Sequence, residues 1–294
     1  MQAKWIIPLI SLTLILSGRS RARDSYADLE KNIPYEDIEE LRVKIEIGVA
    51  DLLIEKAKGD NLLEAKIHYR EKHGEPRIRY DRSGRIGYLT IKSPESNEEG
   101  DHNFKGIHGL KSGEERWELR FSSKVQSAFE IEVGLVDGTV DMTGLQVTEL
   151  SISSGLSDLE LRFDEPNSVK MSELNIECGL GDFKAVKLGN ANFERARIEA
   201  GLGSVKADLS GAWRLPEVEM SVDVGLGSAR LEVPENLGVE VNASENFLSS
   251  LDFDYTIREV RSGTHRSINW ESATFRLVID ADVGLGSLKI ERGD

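Results

Sequence analysis

The chain has 294 residues, 39% hydrophobic, 30% charged and 6% aromatic, with 27 Gly, 7 Pro and one Cys, a globular composition that is neither disordered nor collagen-like. Lys plus Arg number 37 against 52 Asp plus Glu, and the formal charge of -15 argues against an affinity for nucleic acid or anionic lipid driven by net charge. The single Cys excludes an intrachain disulfide framework and a Cys-rich zinc site.

Residues 1–22 read as a signal peptide: Lys4, an apolar run from Trp5 to Leu16, then Ser20-Arg21-Ala22 with small residues at the two positions a signal peptidase inspects. The run is short for a transmembrane helix, which needs about 20 apolar residues. Arg19, Arg21 and Arg23 leave an uncleaved anchor as the alternative. Residues 23–40 follow as a linker or cap with one helical turn. Residues 41–128 form an N-terminal β region, where Val43, Ile45 and Ile47, then Ile78 and Tyr80, alternate with polar residues. Within it, residues 93–113 are polar, Gly-rich and unpatterned, and read as a long loop.

From 129 to 294 the chain repeats itself. Gly134, Gly155, Gly179, Gly201, Gly225 and Gly284 each precede a leucine, and IEIGVADLLI from Ile45 is a divergent earlier copy. The first five glycines are 21, 24, 22 and 24 residues apart, and the last follows after 59, so one or two degenerate units, or an insertion, are expected between. A period of about 22 predicts an all-β solenoid of stacked short strands with GLG corners. Within a unit, Ile198, Ala200 and Leu202 alternate, then Val205, Ala207 and Leu209. Period 2 means strand, and the break in parity falls at Gly203-Ser204, where glycine permits a corner or bulge. On that parity Leu135, Leu156, Leu180, Leu202, Leu226 and Leu285 form a leucine ladder inside the solenoid. Cys178, in the column before the corner glycines, reads as a buried small hydrophobe, with a reactive thiol as the sharper alternative.

The opening LRVKIEIGVADLLIEKAKGDNLLEAKIHYR, the segment RWELRFSSKVQSAFEIEVGLVDGTVDMTGL, the LGNANFE at 188–194 and the closing VDVGLGSLKI resemble the toast-rack proteins of bacterial cell envelopes. That family is related to the C-terminal domain of LiaF-like envelope-stress regulators and to adhesin-like solenoids. The resemblance implies a β-solenoid from about Leu41 to the C-terminus. It transfers no catalytic residues.

Asp137, Asp158, Asp182, Ser204, Ser228 and Ser287 recur just after the corner glycine. Stacked about 5 Å apart, the carboxylates suit Ca²⁺; the plainer reading is that they satisfy backbone groups at a turn. His102 and His108 share the polar loop, and no HExxH, GxSxG or P-loop is present. Trp117, Trp213 and Trp270, with Tyr69, Tyr80 and Tyr88, suit either a contact surface or core and end-cap packing.

These readings predict a non-enzymatic exported cell-envelope protein with a binding or structural role. No catalytic, cofactor-binding or metal residues are assigned, and no cofactor is implied. The alternatives are a carbohydrate-active β-helix enzyme, lyase or hydrolase, and an envelope-stress sensing domain. The expected partners are an envelope protein or glycan and a second copy through the solenoid ends, with no nucleic acid, and a membrane only if the N-terminal segment stays uncleaved.

Overall fold

The computed structural model describes residues 25–94, 114–243 and 250–293. The expected export signal over 1–22 lies outside the described residues, as do His102, His108 and most of the polar loop 93–113. The described chain is almost wholly strand: β1 (Tyr26–Pro34), β2 (Glu40–Lys56), β3 (Asn61–Arg70), β4 (Arg77–Ser83), β5 (Ile86–Lys92) and β6 (Arg116–Phe121) come first. The repeats follow as β7 (Gln126–Asp141), β8 (Gln146–Arg162), β9 (Met171–Val186), β10 (Phe193–Ala200), β11 (Ser204–Asp208), β12 (Glu217–Val224) and β13 (Ser228–Pro234). The last strands are β14 (Gly238–Ala243), β15 (Ser250–Phe253), β16 (Ile257–Arg261), β17 (Thr264–Ser267), β18 (Arg276–Val283) and β19 (Ser287–Gly293). Where the sequence suggests a linker with a helical turn, β1 pairs antiparallel with β3.

Each repeat makes one coil with two limbs that meet at the glycine corner. In β2, β7, β8 and β9 the strand runs through the corner unbroken; in the later coils it divides, as in β10 and β11. Coils stack parallel and in register, Ile152 on Ile176 on Ile198 on Val222, so like side chains lie on like. The first limb runs β4–β5–β2–β7–β8–β9–β10–β12–β18–β14–β17–β16. The second runs β1–β3–β6–β2–β7–β8–β9–β11–β13–β19–β15.

Two passes lie out of chain order. β2 sits between the coil β5/β6 and β7, and β18/β19 sits between β12/β13 and β14/β15. Both the first and the last coil-forming passes are thereby held inside the stack. The coil β14/β15 is the degenerate unit expected between Gly225 and Gly284. Antiparallel strands cover the first limb at both ends, and their edges are charged, with Arg77, Arg79 and Arg82 on β4 and Arg258, Glu259 and Arg261 on β16, a pattern that discourages further strand addition.

Inward side chains of both limbs, among them Ile131, Val133, Val136 and Val140, join one buried core. Each such side chain contributes roughly 1.5–3 kcal/mol. The connections after β8 and β9 carry backbone groups that need partners, and asparagines supply them. Asn167 donates to Val147 O and Ala191 O at 2.7 and 3.1 Å and accepts from Val147 N. Asn190 donates to Phe163 O and accepts from Ala212 N, both at 2.8 Å. The LGNANFE motif is therefore a stitch between neighbouring coils.

The corner glycines answer to close approach between coils. A Cβ on Gly134 would lie 2.6 Å from Gly48 O, on Gly225 2.9 Å from Gly201 O, and on Gly284 3.1 Å from Gly225 O. A Cβ on Gly227 would fall inside Gly203 O, whereas one on Gly48 meets nothing within 4 Å. Gly227→Ala is therefore expected to cost about 3 kcal/mol or more, and Gly48→Ala to stay within about 0.5 kcal/mol of wild type; urea unfolding of the two variants measures both.

Candidate binding surfaces

Outward residues of the first limb form columns across the stack. One column reads Tyr88, Arg42, Ala128, Glu149, Glu173; the next reads Thr90, Lys44, Glu130, Ser151, Asn175, Arg197. A third reads Lys92, Glu46, Glu132, Ser153, Glu177, Glu199, Asp223, Asp282. Ala128, Ser151 and Ser153 are small where their neighbours are long, and the face sinks there. Two adjoining depressions result. One, of about 710 Å³, is lined by Tyr88, Ala128, Glu130, Ser151 and Asn175; the other, of about 720 Å³, by Glu132, Ser151, Ser153 and Glu177. Tyr88 is 40% exposed at the rim.

On the second limb the structure brings together the expected column after the corner: Asp137, Asp158, Asp182, Ser204, Ser228 and Ser287 are register neighbours, and Asp51 extends it by one coil. Asp182 N donates to Asp158 Oδ1 at 3.0 Å, so at least this carboxylate holds the next coil's backbone. Among the described residues no group of three or more His, Cys, Asp or Glu is arranged to hold a metal ion.

The leucine column departs from expectation. Leu156, Leu180, Leu202, Leu226 and Leu285 are 44–58% exposed, on the outside of the corner. Ala200 and Gly203 point inward while Gly201 and Leu202 both point out, so the parity breaks two residues before the predicted place. Cys178 is fully buried, and burial pushes its thiol pKa up, the property of an inert core residue. Trp117 is buried, Trp213 packs on Phe193 with ring centroids 5.6 Å apart, and Trp270 lies between Arg266 and Arg276.

A family model described as the N-terminal domain of toast_rack, DUF2154, matches residues 22–184, more than half of the chain. The chain belongs to the toast-rack family. Three solved structures are also similar to it. A candidate cell adhesion protein from Clostridium sporogenes ATCC 15579 is 16% identical, with a TM-score of 0.47 over 92% of this chain and 100% of that one. A candidate adhesin from Bacteroides fragilis NCTC 9343 is 10% identical, with a TM-score of 0.33 over 90% and 97%. A third, a candidate adhesin from Parabacteroides merdae ATCC 43184, is 12% identical, with a TM-score of 0.30 over 90% and 95%. No curated protein matches the chain.

In the toast-rack chain the first face carries its charge in networks. Lys44 Nζ donates to Glu130 and Glu132 at 2.6 and 2.9 Å and lies 3.3 Å from Glu46, which also pairs with Lys92 at 2.7 Å. The bond from Lys44 holds the Glu130 carboxyl below its ordinary pKa, and the bond from Lys92 does the same for Glu46. The depressions themselves escaped sequence reading, because they arise from small residues on β7 and β8 lying beside long ones on neighbouring strands. No helix among the described residues is long and apolar enough to cross a membrane.

Carboxylates with lowered pKa stabilise the fold above their unfolded pKa of about 4.3, and that stability is lost as pH falls through the lowered value. Lys44→Ala removes the shared cation from Glu46, Glu130 and Glu132. Lys44 is 36% exposed, so the loss near pH 7 is expected to be screened to about 1 kcal/mol. As pH falls through the lowered values of Glu46 and Glu130, wild type and variant should converge; thermal melts from pH 7 downward check this.

Proposed function

We propose that this toast-rack chain is a non-catalytic, extracytoplasmic binding module of the bacterial cell envelope, and that the first outer face takes a neutral glycan. The observation that carries this reading is the pair of adjoining depressions at Ser151, where Tyr88, Asn175, Ser153 and several carboxylates converge on a rigid, in-register frame. Planar amide and carboxylate groups pair with sugar hydroxyls, and an exposed aromatic ring covers an apolar sugar face. Acids outnumber bases along this face, which disfavours polyanions and leaves neutral sugars. The apolar segment at residues 5–16 supports export.

The two depression carboxyls held below their ordinary pKa, Glu46 and Glu130, suit binding better than hydrolysis. A glycosidase needs one carboxyl with a raised pKa as its acid. Every carboxyl with a resolved shift among the described residues moves down, including Glu46, Glu130, Glu160, Glu194 and Glu291, each bonded to a lysine. Such groups stay ionised and serve as acceptors.

Calorimetric titration with neutral N-acetylhexosamine and hexose oligosaccharides tests the reading. Wild type should bind at least one of them with a Kd below a millimolar, Tyr88→Ala should weaken binding about tenfold, and Ser151→Phe, which fills the depression, should abolish it. Absence of binding to every neutral oligosaccharide, or chain cleavage seen by mass spectrometry, contradicts the proposal.

A further inference from the structure

The corner carries a second surface, distinct from the depressions. Of nine exposed large hydrophobic residues among those described, five are Leu156, Leu180, Leu202, Leu226 and Leu285. They occupy one position in consecutive coils. With strands about 4.8 Å apart they form a straight ridge about 19 Å long. In the later coils each leucine stands between two glycines, such as Gly201 and Gly203, so no side chain on its own coil shields it.

The corner does not depend on these side chains. Its hydrogen bonds are made by backbone: Leu202 N to Gly179 O at 2.8 Å, Leu226 N to Gly201 O at 2.8 Å, and Leu285 N to Gly225 O at 2.9 Å. A polar residue could make the same bonds without setting an apolar ridge in water. A contiguous exposed apolar feature of this kind marks an interaction site.

An acidic column flanks the ridge on the first limb, where Glu177, Glu199, Asp223 and Asp282 are register neighbours. On the second limb Asp158 and Asp182 flank its first two leucines and Ser204, Ser228 and Ser287 the other three; beyond these serines Lys206, Arg230 and Lys289 are paired with Glu232 and Glu291. Like charges placed directly opposite one another cost stability; Arg197 answers Glu199 and Asp223. We infer that the leucine ridge is a docking surface for a cationic amphipathic helix of a protein partner, lying along the stack axis. A helix repeats its apolar stripe about every 3.5 residues, or about 5.3 Å of rise, close to the spacing of the leucines. About 14 residues cover the ridge, and Lys or Arg on the first-limb side of the stripe would sit over the acidic column. A second copy laid first limb on first limb would set acid against acid, and an anionic membrane would be repelled by the same column.

The probe is a helical leucine–lysine peptide of about 14 residues, with a scrambled peptide of the same composition and a leucine–glutamate helix as controls. Fluorescence anisotropy at low salt is expected to show micromolar binding of the leucine–lysine helix alone. The triple variant Leu202→Ser, Leu226→Ser, Leu285→Ser should weaken it at least tenfold, and Asp223→Asn with Asp282→Asn several-fold; all five side chains lie at the surface, and melting curves confirm that the variants fold. No binding, equal binding of the scrambled peptide, or binding unchanged in the leucine variant overturns the proposal. So does a wild-type dimer in sedimentation, or capture by anionic lipid vesicles, that the leucine variant abolishes, because either gives the ridge another occupant. Ser151→Phe leaves the ridge intact and should bind the peptide as wild type does, which separates this outcome from that of the glycan reading.

Discussion

The structure depends on one close approach: at each corner from Gly134 onward the carbonyl of one coil's glycine lies 2.6–3.2 Å from where the next coil's glycine would carry its Cβ. Backbone meeting backbone keeps the hydrogen-bond ladder continuous around the bend, as where Gly225 O accepts from both Leu285 N and Gly286 N. A bend without such bonds would leave peptide groups unpaired, each at a cost of about 1–3 kcal/mol if buried. The register that places Ile152, Ile176 and Ile198 in one buried column places Asp137, Asp158 and Asp182 in one exposed column. Core and surface are two readings of the same stacking rule.

That rule makes the outer faces modular. Each coil contributes one side chain to each column at a fixed spacing, so one substitution writes one point on a rigid lattice. The depression at Ser151 arises where a small residue falls in a column of long ones, and the network around Lys44 where one cation reaches carboxylates on its own strand and the next. The leucine ridge is a column repeated without variation. Binding chemistry on such a frame needs no loop, since rigid strands already hold the groups in place.

Much of the fold was legible because its signals are local and periodic. Alternating residues announced strands, and the spacing of Gly134, Gly155, Gly179, Gly201 and Gly225 announced the stack. Hydrophobicity and period 2, carried straight through the corner, put the leucines inside, whereas Gly201 and Leu202 both turn outward there. Conformational freedom accounts for a glycine at a corner; its larger service is to make room for a carbonyl of the neighbouring coil. The placement of β2 and of β18/β19 inside the stack rests on pairings between distant strands, which no local pattern encodes. The depressions are invisible for the same reason.

The most direct measurement is hydrogen exchange at the corner amides of Leu202, Gly203, Leu226, Gly227, Leu285 and Ser287, each of which donates to the preceding coil. Coil-to-coil bonding predicts protection comparable to that of the strand interiors, although Leu202, Leu226 and Leu285 lie at the convex outer edge. Exchange as fast as in a solvated turn would mean that the corners are not bonded coil to coil, and would contradict the stacking rule on which both proposed surfaces rest.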